Sequence, residues 1–211
     1  MSSSKYLDIS LKLTNSLSKL DKQQNGIFFT SKDLVVKTFS KLLDRSYKTI
    51  LEPSCGSGEF IDYALSTLST TNITGIEYNK YIFDKIKDLY NCKLLKCDFL
   101  EYNKDYTIKY DLIIGNPPYY VIKNSKYSHL KEYIIGRPNI FCLFIIHSLK
   151  MLNENGRLAF IIPRNFLNST YYNKIREYII HNYSIIDIEY IKNSNIFGLF
   201  YNSINVQPNK L

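Results

Sequence analysis

Asn116-Pro117-Pro118-Tyr119 sets an amide, a stiff turn and an aromatic ring side by side at the end of the apolar run Tyr110-Asp111-Leu112-Ile113-Ile114-Gly115. Two successive prolines lack N–H donors and hold φ at about −65°, so the turn is rigid. Such a turn can present Asn116 Oδ1 and the Pro117 carbonyl oxygen at a fixed separation. Two acceptors so spaced can grip both hydrogens of a planar amine, such as the exocyclic amine of adenine, whose lone pair is delocalised into the ring. That grip favours a pyramidal nitrogen and aims its lone pair at an electrophile. The chemistry then rests on positioning and electrostatics and needs no shifted acid or base. The base must leave its duplex, and Tyr119 is placed to stack on it. The plain alternative is a structural Pro-Pro turn with an incidental Asn and Tyr.

A second loop carries complementary chemistry. In Leu51-Glu52-Pro53-Ser54-Cys55-Gly56-Ser57-Gly58-Glu59-Phe60, Gly56 and Gly58 permit a tight turn and close backbone approach just before a helix N-terminus. Glu77, in Gly75-Ile76-Glu77-Tyr78, follows at about the distance from which a strand-end acid accepts ribose hydroxyls. The loop departs from the dinucleotide fingerprint in having Phe60 and no third glycine near the helix start, which leaves no obvious fit for a pyrophosphate. A nucleoside cofactor without phosphates, such as S-adenosylmethionine, suits the loop. Asp98 can accept from that cofactor's adenine amine while Phe99 packs on the ring. A surface carboxylate is the alternative for Glu77, and a common strand-end pair for Asp98-Phe99.

The elements that must position these loops alternate. Tyr47–Glu52, Asn72–Glu77, Cys92–Cys97, Tyr110–Gly115, Arg157–Ile162 and Ile185–Ile191 read as strands, with Phe200–Val206 as a seventh. Glu59–Leu68, Lys80–Tyr90, Ile140–Leu152 and Thr170–His181 read as helices, the third closed by Asn155-Gly156 with a residue able to take φ > 0. Lys5–Leu20 and Ser31–Leu43 read as two further helices on the flank. The alternation predicts an α/β, Rossmann-like domain, a mostly parallel seven-stranded sheet with helices on both faces. Residues 1–45 form its leading helical segment and 46–211 its catalytic part. Strands one and four are neighbours at the switch point of such a sheet, so the Gly56 and Asn116 loops face each other across one crevice.

Composition bounds the partners. The net charge is +8 among 211 residues, with a pI near 9.1, and favours a polyanion such as nucleic acid, a solvated basic surface being the alternative. The 19 tyrosines track AT-rich codons along with Lys, Asn and Ile, so they count only inside a motif. Cys55, Cys92, Cys97 and Cys142 form no CxxC pair and no finger-spaced His follows, which argues against zinc and for reduced thiols in an intracellular protein. No apolar segment follows Met1, and the apolar stretch Ile140–Leu152 is broken by His147 and Lys150 and is too short to span a bilayer.

The two loops together resemble the N6-adenine DNA methyltransferases of restriction–modification systems, in the order cofactor loop, Asn-Pro-Pro-Tyr, target recognition. Glu52 to Gly58 and Asn116 to Tyr119 are the specific parts. The resemblance runs from about Gly26 onward and implies S-adenosylmethionine as cofactor and DNA as substrate. By it, Gly26-Ile27-Phe28-Phe29-Thr30 is the upstream motif, with Thr30 touching the cofactor's methionine end and Ser31 standing where the family often has Pro. Glu52 is the acid at the methionyl end, Pro53, Cys55, Gly56 and Gly58 belong to the cofactor loop, and Glu77 binds ribose. Asp98 and Phe99 flank the cofactor adenine. Phe144 lines that pocket or is a core helix residue. Asn116, Pro117, Pro118 and Tyr119 are catalytic. Ile161-Ile162-Pro163-Arg164-Asn165-Phe166 matches the fifth strand and its loop. Phe197, in Asn195-Ile196-Phe197, supplies a second aromatic to the flipped base, with Phe200 competing for the role.

Ending at Leu211, the chain is expected to stop where target recognition would begin, so that a partner supplies recognition, the chain is a fragment, or the enzyme has little specificity. Val121–Arg137, with Lys123, Lys126, Lys131 and Arg137, is either a mobile lid touching phosphates or a solvated basic loop. His129, His147 and His181 carry no assigned role. Alternatives to DNA adenine are RNA adenine, a protein glutamine amide, or a non-catalytic subunit that keeps the fold. The present loops speak against the last.

Overall fold

The computed structural model describes residues 5–69, 72–122, 127–137, 139–191 and 196–203, with 23–25 and 196–203 as backbone only. Its sheet has seven strands: β1 (Ile50–Glu52), β2 (Ile73–Glu77), β3 (Lys93–Lys96), β4 (Tyr110–Gly115), β5 (Leu152–Pro163), β6 (Tyr183–Tyr190) and β7 (Ile196–Ser203). They lie in the order β3-β2-β1-β4-β5-β7-β6. β3, β2, β1, β4 and β5 pair in parallel, and β7 runs antiparallel to both its neighbours. β1 and β2 are buried along their whole length, as strands covered on both faces are, including Thr74 and the strand-end acids Glu52 and Glu77. β3 is half exposed, because it closes one edge.

Among the described residues seven α-helices cover the sheet: α1 (Asp8–Ser16), α2 (Lys19–Asn25), α3 (Lys32–Ser40), α4 (Glu59–Thr67), α5 (Lys80–Ile86), α6 (Ile140–Lys150) and α7 (Asn173–Asn182). Every residue of α6 except Lys150 is buried, so this helix, apolar on all sides, is the centre of the larger core. α3 and α4 close a second core on the other face, around Phe39, Phe60 and Ile61. Among the described residues no helix is long and apolar enough to cross a membrane.

Several boundaries differ from the expected ones. The helix over Lys5–Leu20 is two: Leu17 is extended, and the Ser18 hydroxyl accepts the Asp21 N–H at 3.0 Å to start α2 afresh. The helix from Lys80 ends at Ile86, because Tyr90 turns back to bond the cofactor-loop carbonyl of Ser57 at 2.6 Å. Asn155-Gly156 does not close α6, which stops before Met151. It lies within β5, and Asn155, not Gly156, takes the left-handed φ, 59°. The last strand begins at Ile196 and not at Phe200, drawn into register by the ladders with β5 and β6, where Phe197 opposes Ile162 and Tyr190.

Candidate active site

The carboxyl ends of β1, β2, β3 and β4 open into one cleft of about 750 Å3 counted out to its mouth. Its walls carry Pro53, Ser54 and Gly56 after β1, Glu77, Tyr78 and Asn79 after β2, Cys97, Asp98 and Phe99 after β3, and Asn116 and Pro118 after β4. Phe28, Tyr127 and Phe144 complete it. Of the residues singled out in the sequence, Pro53, Gly56, Glu77, Asp98, Phe99, Phe144, Asn116 and Pro118 therefore meet in one cavity. Thr30, Glu52, Cys55, Gly58, Pro117 and Tyr119 stand behind its walls.

The glycine loop is built by backbone. Gly58, at φ 87°, caps α4, and a Cβ there would lie 2.4 Å from the Tyr90 ring, so no side chain fits. Glu77 bridges two loops: one carboxylate oxygen accepts the Gly56 N–H at 2.9 Å and the other the Asn79 N–H at 2.6 Å. Burial raises its pKa to about 7 against the pull of these N–H groups. Asp98 accepts the Leu100 N–H at 3.1 Å and the Tyr127 hydroxyl at 3.0 Å. Phe99 and Phe144 pack at 4.8 Å, and the His147 ring meets Phe99 edge-on at 4.8 Å. Burial holds His147 at a pKa of about 4, hence neutral, with Nε2 on the Tyr102 carbonyl at 2.8 Å. Its place is to brace the cleft floor.

Asn116 is held from three directions. Its Nδ2 donates to Thr30 Oγ1 at 3.2 Å, its backbone carbonyl accepts the Ser54 hydroxyl at 3.3 Å, and the Tyr119 hydroxyl donates to its Oδ1. Tyr119 also reaches the Ile161 carbonyl at 2.7 Å. Its ring is half buried, stacked with Phe28 at 6.2 Å and edge-on to Phe141 at 6.1 Å. Gly26, left-handed at φ 60°, locks the upstream motif to this loop: a Cβ there would sit 2.8 Å from the Tyr119 backbone nitrogen.

The remaining candidates are placed as follows. Pro117 is buried under the turn. Cys55 is buried between β1 and β2, its N–H on the Ile76 carbonyl at 2.9 Å, and burial pushes its thiol pKa well up. Glu52 is only 3% exposed, and among the described residues its Oε2 has no hydrogen-bond partner. Burial, with Glu59 and Glu77 nearby, raises its pKa well above the usual carboxyl range. The Phe197 side chain, Asn195, Lys123 and Lys126 lie outside what is described. Within the described part of the Val121–Arg137 segment, Ser128–Tyr133 is a short 3-10 helix, with Tyr127 and Leu130 in the core and Lys131 and Arg137 exposed. Tyr127, Ser54, Tyr90 and Phe28 went unassigned in the sequence. Ser54 and Phe28 sit inside motifs already quoted, whereas nothing local marks Tyr127 or Tyr90.

Residues 11–197 match the Eco57I restriction-modification methylase family. The chain belongs to that family. Two relatives are viral: the type II methyltransferase M.CvrRI of Paramecium bursaria Chlorella virus XZ-6E, 32% identical over 92% of this chain and 50% of its own length, and the modification methylase CviBIII of virus NC1A, 34% identical over 85% and 48%. The chain thus spans about half the length of the curated relatives it matches. Among solved structures, a class I S-adenosylmethionine-dependent methyltransferase from Listeria monocytogenes superposes with a TM-score of 0.65 at 16% identity, covering 85% of this chain and 62% of that one. That superposition gives the chain the fold of an S-adenosylmethionine-dependent methyltransferase. The cleft fits S-adenosylmethionine: Glu77 keeps lone pairs for ribose hydroxyls and aromatic rings floor the far end, while Glu52, one oxygen of which has no partner among the described residues, lies behind the wall.

Proposed function

We propose that this chain carries the catalytic centre of a DNA methyltransferase that modifies the N6 amino group of adenine. The observation that carries the reading is Asn116, fixed from three directions at the end of β4 and facing the cofactor loop at the end of the adjacent strand β1.

S-adenosylmethionine supplies an electrophilic methyl group on its sulfonium. Glu77 would hold the ribose, Asp98 and Phe99 the adenine ring, and Glu52 the ammonium end. The chain's own work is on the acceptor base. Asn116 Oδ1 and the Pro117 carbonyl take the two hydrogens of the amine and orient its lone pair into the cleft, while the Pro-Pro turn keeps both acceptors still. The exposed ring of Phe28 offers stacking surface at the mouth for a base taken out of its duplex, with the Tyr119 ring stacked behind it. The excess of Lys and Arg, net charge +8, supports a polyanionic substrate.

Methyl transfer from labelled S-adenosylmethionine to duplex DNA, RNA and protein in parallel, followed by hydrolysis and nucleoside analysis, tests this. Label in N6-methyladenine of DNA is the expected result. Label in cytosine, in RNA alone or in a protein amide overturns it.

A further inference from the structure

The upstream motif is expected to serve the cofactor through Thr30, yet the Thr30 hydroxyl lies behind the cleft wall against Asn116. A carboxamide has two nearly isosteric orientations. One presents oxygen to an incoming amine, the other presents NH2, donor against donor. A methylase that grips an amine needs a device that selects the first.

We infer that Thr30 and the Tyr119 hydroxyl are positioning residues that fix the orientation of the Asn116 amide. The inference rests on the proposed role of Asn116 as acceptor of the substrate amine. Thr30 Oγ1 receives the Nδ2 hydrogen at 3.2 Å, and at 6% exposure its side chain is shielded from competing water. Tyr119 donates to Oδ1 from the opposite side. Its hydroxyl has one proton and two acceptors in reach, Asn116 Oδ1 and the Ile161 carbonyl at 2.7 Å. Before the base enters, the phenol occupies Oδ1 and holds the amide. When an amine hydrogen arrives at Oδ1, the phenol proton swings to Ile161, and no buried donor is left without a partner, which is the costly case. Burial raises the Tyr119 pKa, so the hydroxyl remains a donor throughout. The network ties three distant pieces of chain, Thr30, the β4 loop and the end of β5, to a single amide.

The experiment compares Thr30→Val, Thr30→Ser and Tyr119→Phe with the wild-type chain. Side-chain amide resonances of Asn116, assigned by their loss in Asn116→Ala, should shift and exchange faster with water in Thr30→Val and return in Thr30→Ser. The turnover rate on the substrate that the wild type methylates should fall about tenfold in Thr30→Val and in Tyr119→Phe, with less-than-additive loss in the double variant. Cofactor Kd should stay within about twofold and Thr30→Ser should recover most of the rate. Unmoved Asn116 resonances, or a cofactor Kd that weakens in step with the rate, overturn the inference and return Thr30 to the cofactor. A wild type that leaves adenine unmethylated defeats the functional reading separately, since the amide resonances report the positioning whatever the substrate.

Discussion

The two halves of the cleft hold their acceptor groups by different means. On the cofactor side, Glu77 is a carboxylate met by the backbone N–H groups of Gly56 and Asn79, and Asp98 is met by that of Leu100 together with the Tyr127 hydroxyl. On the substrate side, the neutral Asn116 amide is met by the side-chain hydroxyls of Thr30 and Tyr119, and the Asn116 backbone carbonyl by that of Ser54. Backbone donors come with the loop geometry and survive most substitutions. Hydroxyl partners are lost with a single change. The cofactor half is therefore robust and the substrate half fragile, and the catalytic demand falls on the fragile half, where an amine must be aligned and not merely bound.

The sharpest way to break this contrast is Asn116→Ala. Transfer should fall about 10²–10³-fold, the scale of losing one positioned polar group at a reacting centre, while cofactor Kd by calorimetry stays within about twofold. A matching loss of cofactor affinity would merge the two halves. Gly26→Ala is next. The left-handed backbone and the 2.8 Å approach to Tyr119 force the upstream motif and the catalytic loop apart. Stability should drop by about 1–2 kcal/mol in denaturant unfolding, and turnover by about 10–100-fold through misplacement of Asn116. Glu77→Gln probes the other half: it keeps the shape but weakens the acceptor, so cofactor Kd should rise about tenfold with turnover at saturating cofactor little changed.

The same contrast explains what the sequence made legible. β4 begins and ends where expected, at Tyr110 and Gly115, because a buried parallel strand is a continuous apolar run. The Gly56 loop, Glu77, Asp98 and Asn116 were legible because each lies directly at a strand's end, so local pattern fixed its address. The partners of Asn116 and Asp98 were not. Thr30 lies 86 residues from Asn116, Tyr127 lies 29 from Asp98, and Tyr90 lies 33 from Ser57, contacts created by topology and invisible to periodicity. Helix ends failed for a related reason: Tyr90 continues a helical pattern, yet its hydroxyl is worth more on the glycine loop than in another turn of α5. Asn155 shows the limit of residue type, since the left-handed position fell on Asn beside an available Gly.

The smallest expected effect also separates the halves most cleanly, because it has a sign. Burial holds the Glu77 pKa up at about 7, so the carboxyl is partly protonated near neutrality in the free protein. Ribose hydroxyls donate, and they favour the ionised form. Cofactor Kd should therefore fall as pH rises toward 7 and level off above it, by a few-fold and at most about tenfold per pH unit. Folding stability of the free protein should run the other way. A carboxyl whose folded pKa is raised binds its proton more tightly folded than unfolded, so its contribution is largest below the ordinary carboxyl range and declines as pH climbs to about 7. In Glu77→Gln the pH slope of cofactor affinity should shrink, with the remainder left to Glu52. The stability slope should persist in part, because burial also raises Glu52 and Glu59. Affinity measured by calorimetry and stability measured by urea unfolding across the same pH series decide it. An affinity slope that is unchanged in Glu77→Gln would move the titrating group wholly to Glu52, and with it the site of cofactor recognition from the ribose to the ammonium end.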